Sequence, residues 1–104
     1  MGSSAILSEA DLEAAAELLR ALANAHRLAI VAELNGGPRC VHERVDALGV
    51  SQPLVSQHLR SLRASHLVRA ERRGREIAYS LGDEHVFHIV HDAVVHATER
   101  QPAG

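Results

Sequence analysis

The 104-residue chain lacks lysine and tryptophan, and it contains one cysteine, one phenylalanine and one tyrosine. A single cysteine excludes an intrachain disulfide framework. With so few aromatic residues, the core must consist of Leu, Val, Ile and Ala, which suits short packed helices. No apolar run approaches the ~20 residues that span a bilayer, and no signal-peptide pattern comes before the first predicted helix. The sequence therefore predicts one small cytoplasmic domain with no membrane partner.

Positive charge is concentrated in the middle of the chain, although the net charge is only −2. Residues 51–80 carry six arginines against two acidic residues, a net charge of +4, whereas residues 1–50 and 81–104 each carry a net charge of −3. Because lysine is absent, each of these cations is a guanidinium, which can bind two phosphate oxygens at once. A basic middle between acidic ends indicates contact with nucleic acid.

Hydrophobic spacing and helix-capping residues predict seven elements in a single domain. The predicted elements are helices over residues 8–23, 24–34, 40–48 and 51–65, strands over 67–71 and 76–81, and a last helix over 83–99. We expect a turn at Gly49 and an arginine-rich hairpin tip at residues 72–75. This order predicts a mostly α (α+β) winged helix-turn-helix fold with an added helix at each end. The domain would span residues 8–100, with flexible termini at 1–7 and 101–104.

The predicted helix over residues 51–65 separates its apolar and polar side chains onto opposite sectors. Ser, Gln and Arg on the polar sector can reach base edges and phosphates in the major groove, and arginines at the hairpin tip can reach the backbone or the minor groove. The candidate DNA-contacting residues are Ser51, Gln52, Ser56, Gln57, Arg60, Arg63, Arg73 and Arg75. The alternative is an ordinary solvated helix face, but the adjoining arginine-rich tip favours double-stranded DNA. His58 falls in the apolar sector and is predicted to be a packed, hydrogen-bonded histidine.

The last predicted helix contains the spacing D-x-H-x(10)-H-x(2)-E, formed by Asp83, His85, His96 and Glu99. Eleven residues return His96 to within about 20° of His85 but place it roughly 16 Å further along the helix. One helix therefore cannot close both histidines on one ion, whereas two helices packed antiparallel about a two-fold axis can. The spacing predicts a homodimer with metal bound at its interface. Two nitrogen and two oxygen ligands suit tetrahedral zinc.

Other interpretations of this helix stay open. One alternative is a polar seam between two dimer helices, in which the histidines are incidental. A separate apolar face on the same helix argues against that interpretation, because packing does not need the seam. His88, His91 and Asp92 lie near the same face as the proposed ligands. Solvated neighbours are the favoured interpretation of these three residues, whereas additional ligands would favour nickel or cobalt with a coordination number nearer six.

Segments 22–30, 50–62 and 73–81 are similar to the second helix, the recognition helix and the wing of the ArsR/SmtB family of metal-sensing winged-helix repressors. The similarity extends over nearly the whole chain. It implies a dimer that binds operator DNA without inducer and releases the DNA when metal binds.

The spacing on the last helix also resembles the terminal-helix zinc site of that family. By this resemblance, Asp83 and His85 come from one subunit. His96 and Glu99 come from the other. The free ring nitrogen of His96 is then expected to hydrogen-bond the backbone near His66, where the recognition helix ends, because metal-bound histidines usually donate their second N–H.

Cys40-Val41-His42 is a candidate second metal site, since it resembles the cysteine-containing motif that the family carries on its third helix. The common form of that motif has a second cysteine in place of His42 and draws on ligands from the N-terminal segment. Residues 1–25 contain no Cys or His, so a complete site of that type is not expected. A small buried residue is the favoured interpretation of Cys40. The alternative is a redox-responsive repressor that uses this thiol.

A hydrolytic zinc site built from the same His, Asp and Glu side chains is a remote alternative. Such a site needs an open coordination position and a cleft, and the sequence contains neither a nucleophile elbow nor a phosphate-binding loop. We therefore expect no enzyme activity and no small-molecule substrate. The favoured hypothesis is a zinc-responsive transcriptional repressor.

Overall fold

The computed structural model describes residues 7–40, 49 and 51–99. Its elements are α1 (Glu9–Leu22), α2 (Ala25–Leu34), β1 (Arg39–Cys40), α3 (Gln52–Ala64), β2 (Val68–Arg73), β3 (Glu76–Leu81) and α4 (Glu84–Glu99). This arrangement confirms the predicted winged helix-turn-helix fold, with α3 as the recognition helix and the β2–β3 hairpin as the wing. Residues 41–48, which the sequence predicts to be helical, and the predicted flexible segment 101–104 lie outside the described residues.

Local side-chain hydrogen bonds start the helices where the sequence predicts. The Ser8 hydroxyl accepts from the Asp11 N–H at 3.0 Å, and the Asp11 carboxylate accepts from the Ser8 N–H at 3.2 Å, which completes a capping box. The Asn24 side chain accepts from two backbone N–H groups at the start of α2. Ser51 caps α3, and Pro53 lies in its first turn, where the missing N–H costs no helical hydrogen bond.

The core lies between α2, α3 and the first half of α4, and it is aliphatic, as the shortage of aromatic residues predicts. Its buried side chains include Ile30, Val31 and Leu34 of α2, Val55, Leu59 and Leu62 of α3, and Val86 and Val90 of α4. The apolar sector of α3 is therefore held against the rest of the domain. Within the described ranges, none of the helices combines the length with the apolar character that crossing a bilayer requires.

The sheet has three strands in the order β1–β3–β2, one strand more than the sequence predicts. Arg39 and Cys40 form β1 and pair antiparallel with Tyr79 and Ala78 of β3. The prediction that a helix starts at Cys40 is therefore wrong. Two residues are too few to show a period-two pattern, and β1 forms because it satisfies backbone hydrogen-bonding groups on the outer side of β3.

The wing is longer than predicted, because β2 continues to Arg73 instead of ending at residue 71. Arg73 pairs with Glu76, which leaves Gly74 and Arg75 as a two-residue turn. Gly74 has a φ of 64°, a left-handed conformation that two-residue hairpin turns require and that glycine adopts without steric cost. Arg73 and Arg75 therefore lie at the end of a regular hairpin and not in a long loop.

Gly82 joins the wing to α4 at a point of close backbone contact. Its N–H donates to the Leu67 carbonyl at 2.9 Å. A methyl group added at Gly82 would lie 2.5 Å from the carbonyl oxygen of His66. We expect Gly82→Ala to lower the free energy of unfolding by about 1–3 kcal/mol, because one of the two backbone segments would have to move. Urea unfolding followed by circular dichroism measures this loss.

Gly36→Ala is the matched control. An added methyl group at Gly36 would meet the flexible side chain of Arg39 at 3.4 Å and the Glu33 carbonyl at 3.6 Å, which are ordinary contacts. We expect a change below about 0.5 kcal/mol for this variant, in the range of neutral surface substitutions. Equal losses in the two variants would contradict the steric explanation.

Candidate functional site

The side of α3 opposite the core presents the polar residues that the sequence assigns to DNA. Exposed there are Gln52, Gln57, Arg60 and Arg63, with Ser56 half-buried. Ser51 also caps the helix, and its hydroxyl accepts from the Leu54 N–H at 3.4 Å. One side of α3 is thus fixed in the core while the other side is free for contact.

A cleft of about 400 Å³ connects the start of α3 with the wing. Its lining residues are Cys40, Gln52, Ser56, Arg75, Glu76, Ile77 and Tyr79. The structure thus brings three of the candidate DNA-contacting residues onto one concave surface, whereas the other five do not line it. The sequence did not place Cys40 beside the candidate DNA-contacting residues, because its position depends on β1. It also missed Ile77 and Tyr79, although their alternate positions on β3 place both on the same face.

The arginines at the wing tip make contacts within the hairpin. Arg72 Nη1 donates to the Gly74 carbonyl at 3.3 Å and so braces the turn. Arg73 Nη2 lies 3.7 Å from Glu71 Oε1, and both side chains are exposed. Exposed ion pairs are worth only about 0–1 kcal/mol and are weakened by salt. Arg73 can therefore exchange Glu71 for a phosphate at little cost.

His58 lies on the core side of α3 and is only 7% exposed. Its Nδ1 accepts a hydrogen bond from Arg27 Nε at 3.0 Å. The prediction of a packed, hydrogen-bonded histidine is thus confirmed. Burial lowers the pKa of His58, and the positive charges of Arg27 and His26 lower it further. The ring is therefore neutral at pH 7, and its Nδ1 is an acceptor. The sequence did not reveal Arg27 as the partner, because 31 residues separate the two positions.

The four proposed metal ligands are exposed and lie at the two ends of α4. Asp83 stands just before the helix, where its Oδ1 accepts from the His85 N–H at 2.8 Å. Among the residues that the structure describes, no three His, Cys, Asp or Glu side chains of one chain come together to hold a metal ion. His96 and Glu99 lie in the last turns of α4, so a single chain holds the two halves of the donor set apart.

The other candidate ligands on α4 contact residues of their own helix. His91 Nδ1 lies 3.7 Å from Asp92 Oδ1. The centroids of the Phe87 and His91 rings are 5.4 Å apart. The centroid of the His88 ring lies 6.0 Å from the centroid of the Phe87 ring. These contacts agree with the interpretation of His88, His91 and Asp92 as solvated neighbours, which stays a prediction.

The proposed pairing of Cys40 with His42 stays a prediction. Cys40 is half-buried in β1, and His42 lies outside the described residues. A metal role or a redox role for Cys40 therefore also stays a prediction.

The end of α3 meets the start of α4 at His66. This residue has a φ of 62°, and its N–H donates to the Arg63 carbonyl at 2.9 Å. Its own carbonyl faces Gly82, which directly precedes Asp83. In the same chain, His96 lies about 18 Å along α4 from Glu84, the first residue of the helix, given a rise of about 1.5 Å per residue. The predicted contact between His96 and His66 would therefore have to be made between two chains.

Apolar surface is exposed on α1 and on the second half of α4. Leu12 and Leu19 of α1 are 53% and 52% exposed, and Val94 of α4 is 46% exposed. A groove of about 190 Å³ between the two helices is almost entirely apolar. It is lined by Leu19, Leu22, Ala23, Leu28, Ile89, Val90 and Ala93. This groove is therefore a candidate surface for contact with another protein chain.

Comparison with known proteins places the chain in a family. Residues 24–70 match the model of bacterial regulatory proteins of the arsR family. Over 90 residues the chain is 42% identical to the HTH-type transcriptional regulator NmtR of Mycobacterium tuberculosis, a match that covers 84% of this chain and 75% of NmtR. The chain belongs to the ArsR family. This finding confirms the resemblance drawn from the second helix, the recognition helix and the wing.

Further comparisons show how far the similarity extends. The chain is 61% identical over 88 residues to the HTH-type transcriptional repressor SmtB of Mycobacterium tuberculosis, and the match covers 85% of this chain but only 65% of SmtB. The solved structure of a homodimeric winged helix-turn-helix DNA-binding domain from Mycobacterium bovis matches with a TM-score of 0.81 and 30% identity, over 95% of this chain and 94% of that one. These relatives are regulators, so the family argues against the hydrolase alternative.

Proposed function

We propose that the chain is a metal-responsive transcriptional repressor whose metal-free homodimer binds operator DNA and releases it when zinc binds. The observation that carries this proposal is α4, which combines an exposed donor set at its two ends with uncovered apolar surface. The 61% identity to SmtB, which is named as a repressor, supports the regulatory role.

The geometry of α3 and the wing supports the DNA-binding part of the proposal. Arg60 and Arg63 are exposed on α3, and Arg75 lies across a cleft from its start. The net charge of +4 over residues 51–80 favours phosphate contact. A two-fold dimer would place two such helices about 34–36 Å apart, one turn of the double helix, and would read a palindrome.

A second copy of this chain is the proposed occupant of the apolar groove between α1 and α4. The groove is continuous with the exposed Leu19 side chain of α1. The solved Mycobacterium bovis domain with the same fold is described as homodimeric, which supports this assignment. Antiparallel pairing of α4 with its symmetry mate would then bring the two ends of the donor set together.

Zinc fits the donor set in its chemistry. Asp83 and His85 would bind the ion together with residues 96 and 99 of the partner subunit. The hydrogen bond from the His85 N–H to Asp83 Oδ1 already orients this carboxylate and leaves its second oxygen for the ion. Its two carboxylates would neutralise the divalent charge, and the four side chains would supply the full number of protein ligands that structural zinc sites use. This arrangement favours a regulatory site over a hydrolytic one.

The proposed signal path leads from the metal to the end of α3. In an antiparallel pair, His96 of the partner subunit would lie beside His85, near the contact between His66 and Gly82. Its second ring N–H would donate to the His66 carbonyl, and zinc would thereby shift α3 away from the spacing that matches DNA. A coupling free energy of about 1–3 kcal/mol, typical of allostery, corresponds to roughly 5–150-fold weaker DNA binding.

Parallel metal titrations test the proposed function. Metal-free protein would first select its binding sequence from a randomised duplex pool, and fluorescence anisotropy would then follow release of that duplex by zinc, cobalt and nickel. We expect zinc to release the DNA most effectively, and we expect the cobalt complex to show the intense visible absorption of a tetrahedral site. Octahedral cobalt spectra with preferred release by nickel would replace zinc by nickel and assign ligand roles to His88 or His91. Failure to select any duplex would refute the proposed repressor.

A further inference from the structure

The side chain of Arg27 connects three helices. Arg27 lies in the first turn of α2, and its Nε donates to His58 Nδ1 on α3 at 3.0 Å. Its Nη1 donates to the Ala21 carbonyl, in the last turn of α1, also at 3.0 Å. The guanidinium group is planar, so the two donors have a fixed relative direction. A shift of α1 against α2 therefore changes the geometry of the hydrogen bond to α3.

The two residues that accept from Arg27 lie beside the two proposed binding surfaces, which are the apolar groove between α1 and α4 and the polar side of α3. Ala21 directly precedes Leu22 and Ala23, which line the apolar groove between α1 and α4. His58 directly follows Gln57, which is exposed on the polar side of α3. Because His58 is buried, a rotation of α3 that breaks its hydrogen bond leaves a polar nitrogen without a partner in the core, which is unfavourable. One rotational setting of α3 is thus preferred.

We propose that Arg27 is a positioning residue that sets the orientation of α3 for DNA contact and connects it to the groove where the second subunit docks. This inference rests on the proposed function, because it assumes that α3 reads DNA. It adds a path that starts at the subunit interface and does not pass through the metal ligands. Arg27 itself need not touch DNA.

Neutral His58 is required for this hydrogen bond, since a protonated ring would turn a second N–H toward the Arg27 donor. Arg27 and His26, both on α2, are the charged and titratable groups that act on His58, and the two histidine rings are 5.8 Å apart. Burial of the ring lowers the pKa of His58 below its ordinary value of 6.5, and the electrostatic effect of Arg27 and His26 lowers it further. The contribution of His58 to stability is therefore complete above about pH 6.5, and it is lost as the pH falls below that value.

Four substitutions test the proposal. Arg27→Lys keeps the charge but removes the planar pair of donors, and Arg27→Met removes both. His58→Leu removes the acceptor, whereas His58→Asn keeps an oxygen acceptor near the Nδ1 position and does not titrate. The probes are the duplex selected by the wild-type protein and poly(dI-dC) as non-specific DNA, both measured without metal. Circular dichroism first shows which variants are folded.

We expect Arg27→Lys and His58→Leu to bind the selected duplex about 5–150-fold more weakly, the range that follows from leaving one buried polar group unsatisfied. Binding to poly(dI-dC) should stay unchanged, because phosphate contact does not depend on the exact setting of α3. We expect His58→Asn to bind the selected duplex like the wild type. Wild-type affinity relative to His58→Asn should stay constant above about pH 6.5 and fall as the pH decreases below that value, where His58 takes up its proton.

The outcomes separate this proposal from the proposed function. A wild-type protein that selects no duplex refutes the proposed function itself. If the wild type selects a duplex that Arg27→Lys binds equally well, Arg27 does not position α3. A lower melting temperature with an unchanged ratio of specific to non-specific binding would show a purely structural role and would also overturn the inference. If the arginine variants do not fold, His58→Asn and its pH profile still decide the question.

Discussion

We expect His96→Ala to abolish the release of operator DNA by zinc while leaving DNA binding by the metal-free protein intact. In the proposed site, His96 contributes one of four ligands and also the N–H that would reach the recognition helix of the other subunit. The wild-type protein should lose roughly 5–150-fold in DNA affinity when zinc binds. The variant should lose less than about two-fold, since removal of His96 eliminates the source of the coupling.

Fluorescence anisotropy with and without zinc measures this effect on the selected duplex. His88→Ala is the matched control, because His88 is an exposed histidine on the same helix whose ring lies near Phe87. The control should respond to zinc like the wild type. If zinc still releases DNA from His96→Ala, the site at the ends of α4 is wrong. If His88→Ala also loses its response, His88 is a ligand and the four-ligand site must be revised.

We expect Leu59→Ala to destabilise the domain by about 2–5 kcal/mol, the range for truncating a fully buried leucine. Leu59 is 0% exposed and belongs to the cluster that holds α3 against α2. A small domain is stable by only about 5–15 kcal/mol in total, so the loss is a large fraction of its stability. Urea unfolding in the absence of metal measures the change at a fixed protein concentration, since a dimer gains stability from association.

Arg60→Ala is the matched control for Leu59→Ala, because the two residues are adjacent on α3 but Leu59 is buried and Arg60 is exposed. Arg60 is exposed, so its truncation should change the free energy of unfolding by less than about 0.5 kcal/mol. It should weaken DNA binding by about 1–3 kcal/mol if it contacts a base edge. A stable Leu59→Ala variant would contradict the core assignment. An Arg60→Ala variant with full DNA affinity would remove Arg60 from the proposed interface.

Together the His96→Ala and Arg60→Ala experiments separate the role of α4 from the role of α3. Substitutions on the exposed side of α3 should change affinity at every metal concentration, whereas substitutions of the α4 ligands should change only the response to metal. The positions of the residues account for this separation, since α3 carries the polar side chains beside the wing and α4 carries the donor set. A substitution that changed both properties would indicate a residue on the path between them, such as His66.

Much of the fold was predictable because it depends on residues close together in the chain. Ser8, Asn24 and Ser51 cap helices within three residues of themselves, and the caps lie where the sequence predicts. The apolar spacing of α3 identified its buried side, including His58. The spacing from Asp83 to Glu99 follows from the pitch of one helix, and it predicted that one chain alone could not assemble the site. The structure describes one chain, with Asp83 and His85 at one end of α4 and His96 and Glu99 at the other, so the shared site stays a prediction.

What the sequence by itself determined, therefore, is the helices α1 to α4, the wing and the residues available on the faces of these helices, because helix and hairpin patterns are local. Only the tertiary structure decided the partner of His58, the strand at Cys40 and the contact of Gly82 with His66. Each of these joins segments that are distant along the chain, and each satisfies a polar group or permits a close approach that exists only after the helices have packed. Local periodicity contains no information about such pairs, so their physical cause lies in the packed core and in the hydrogen bonds that burial makes necessary.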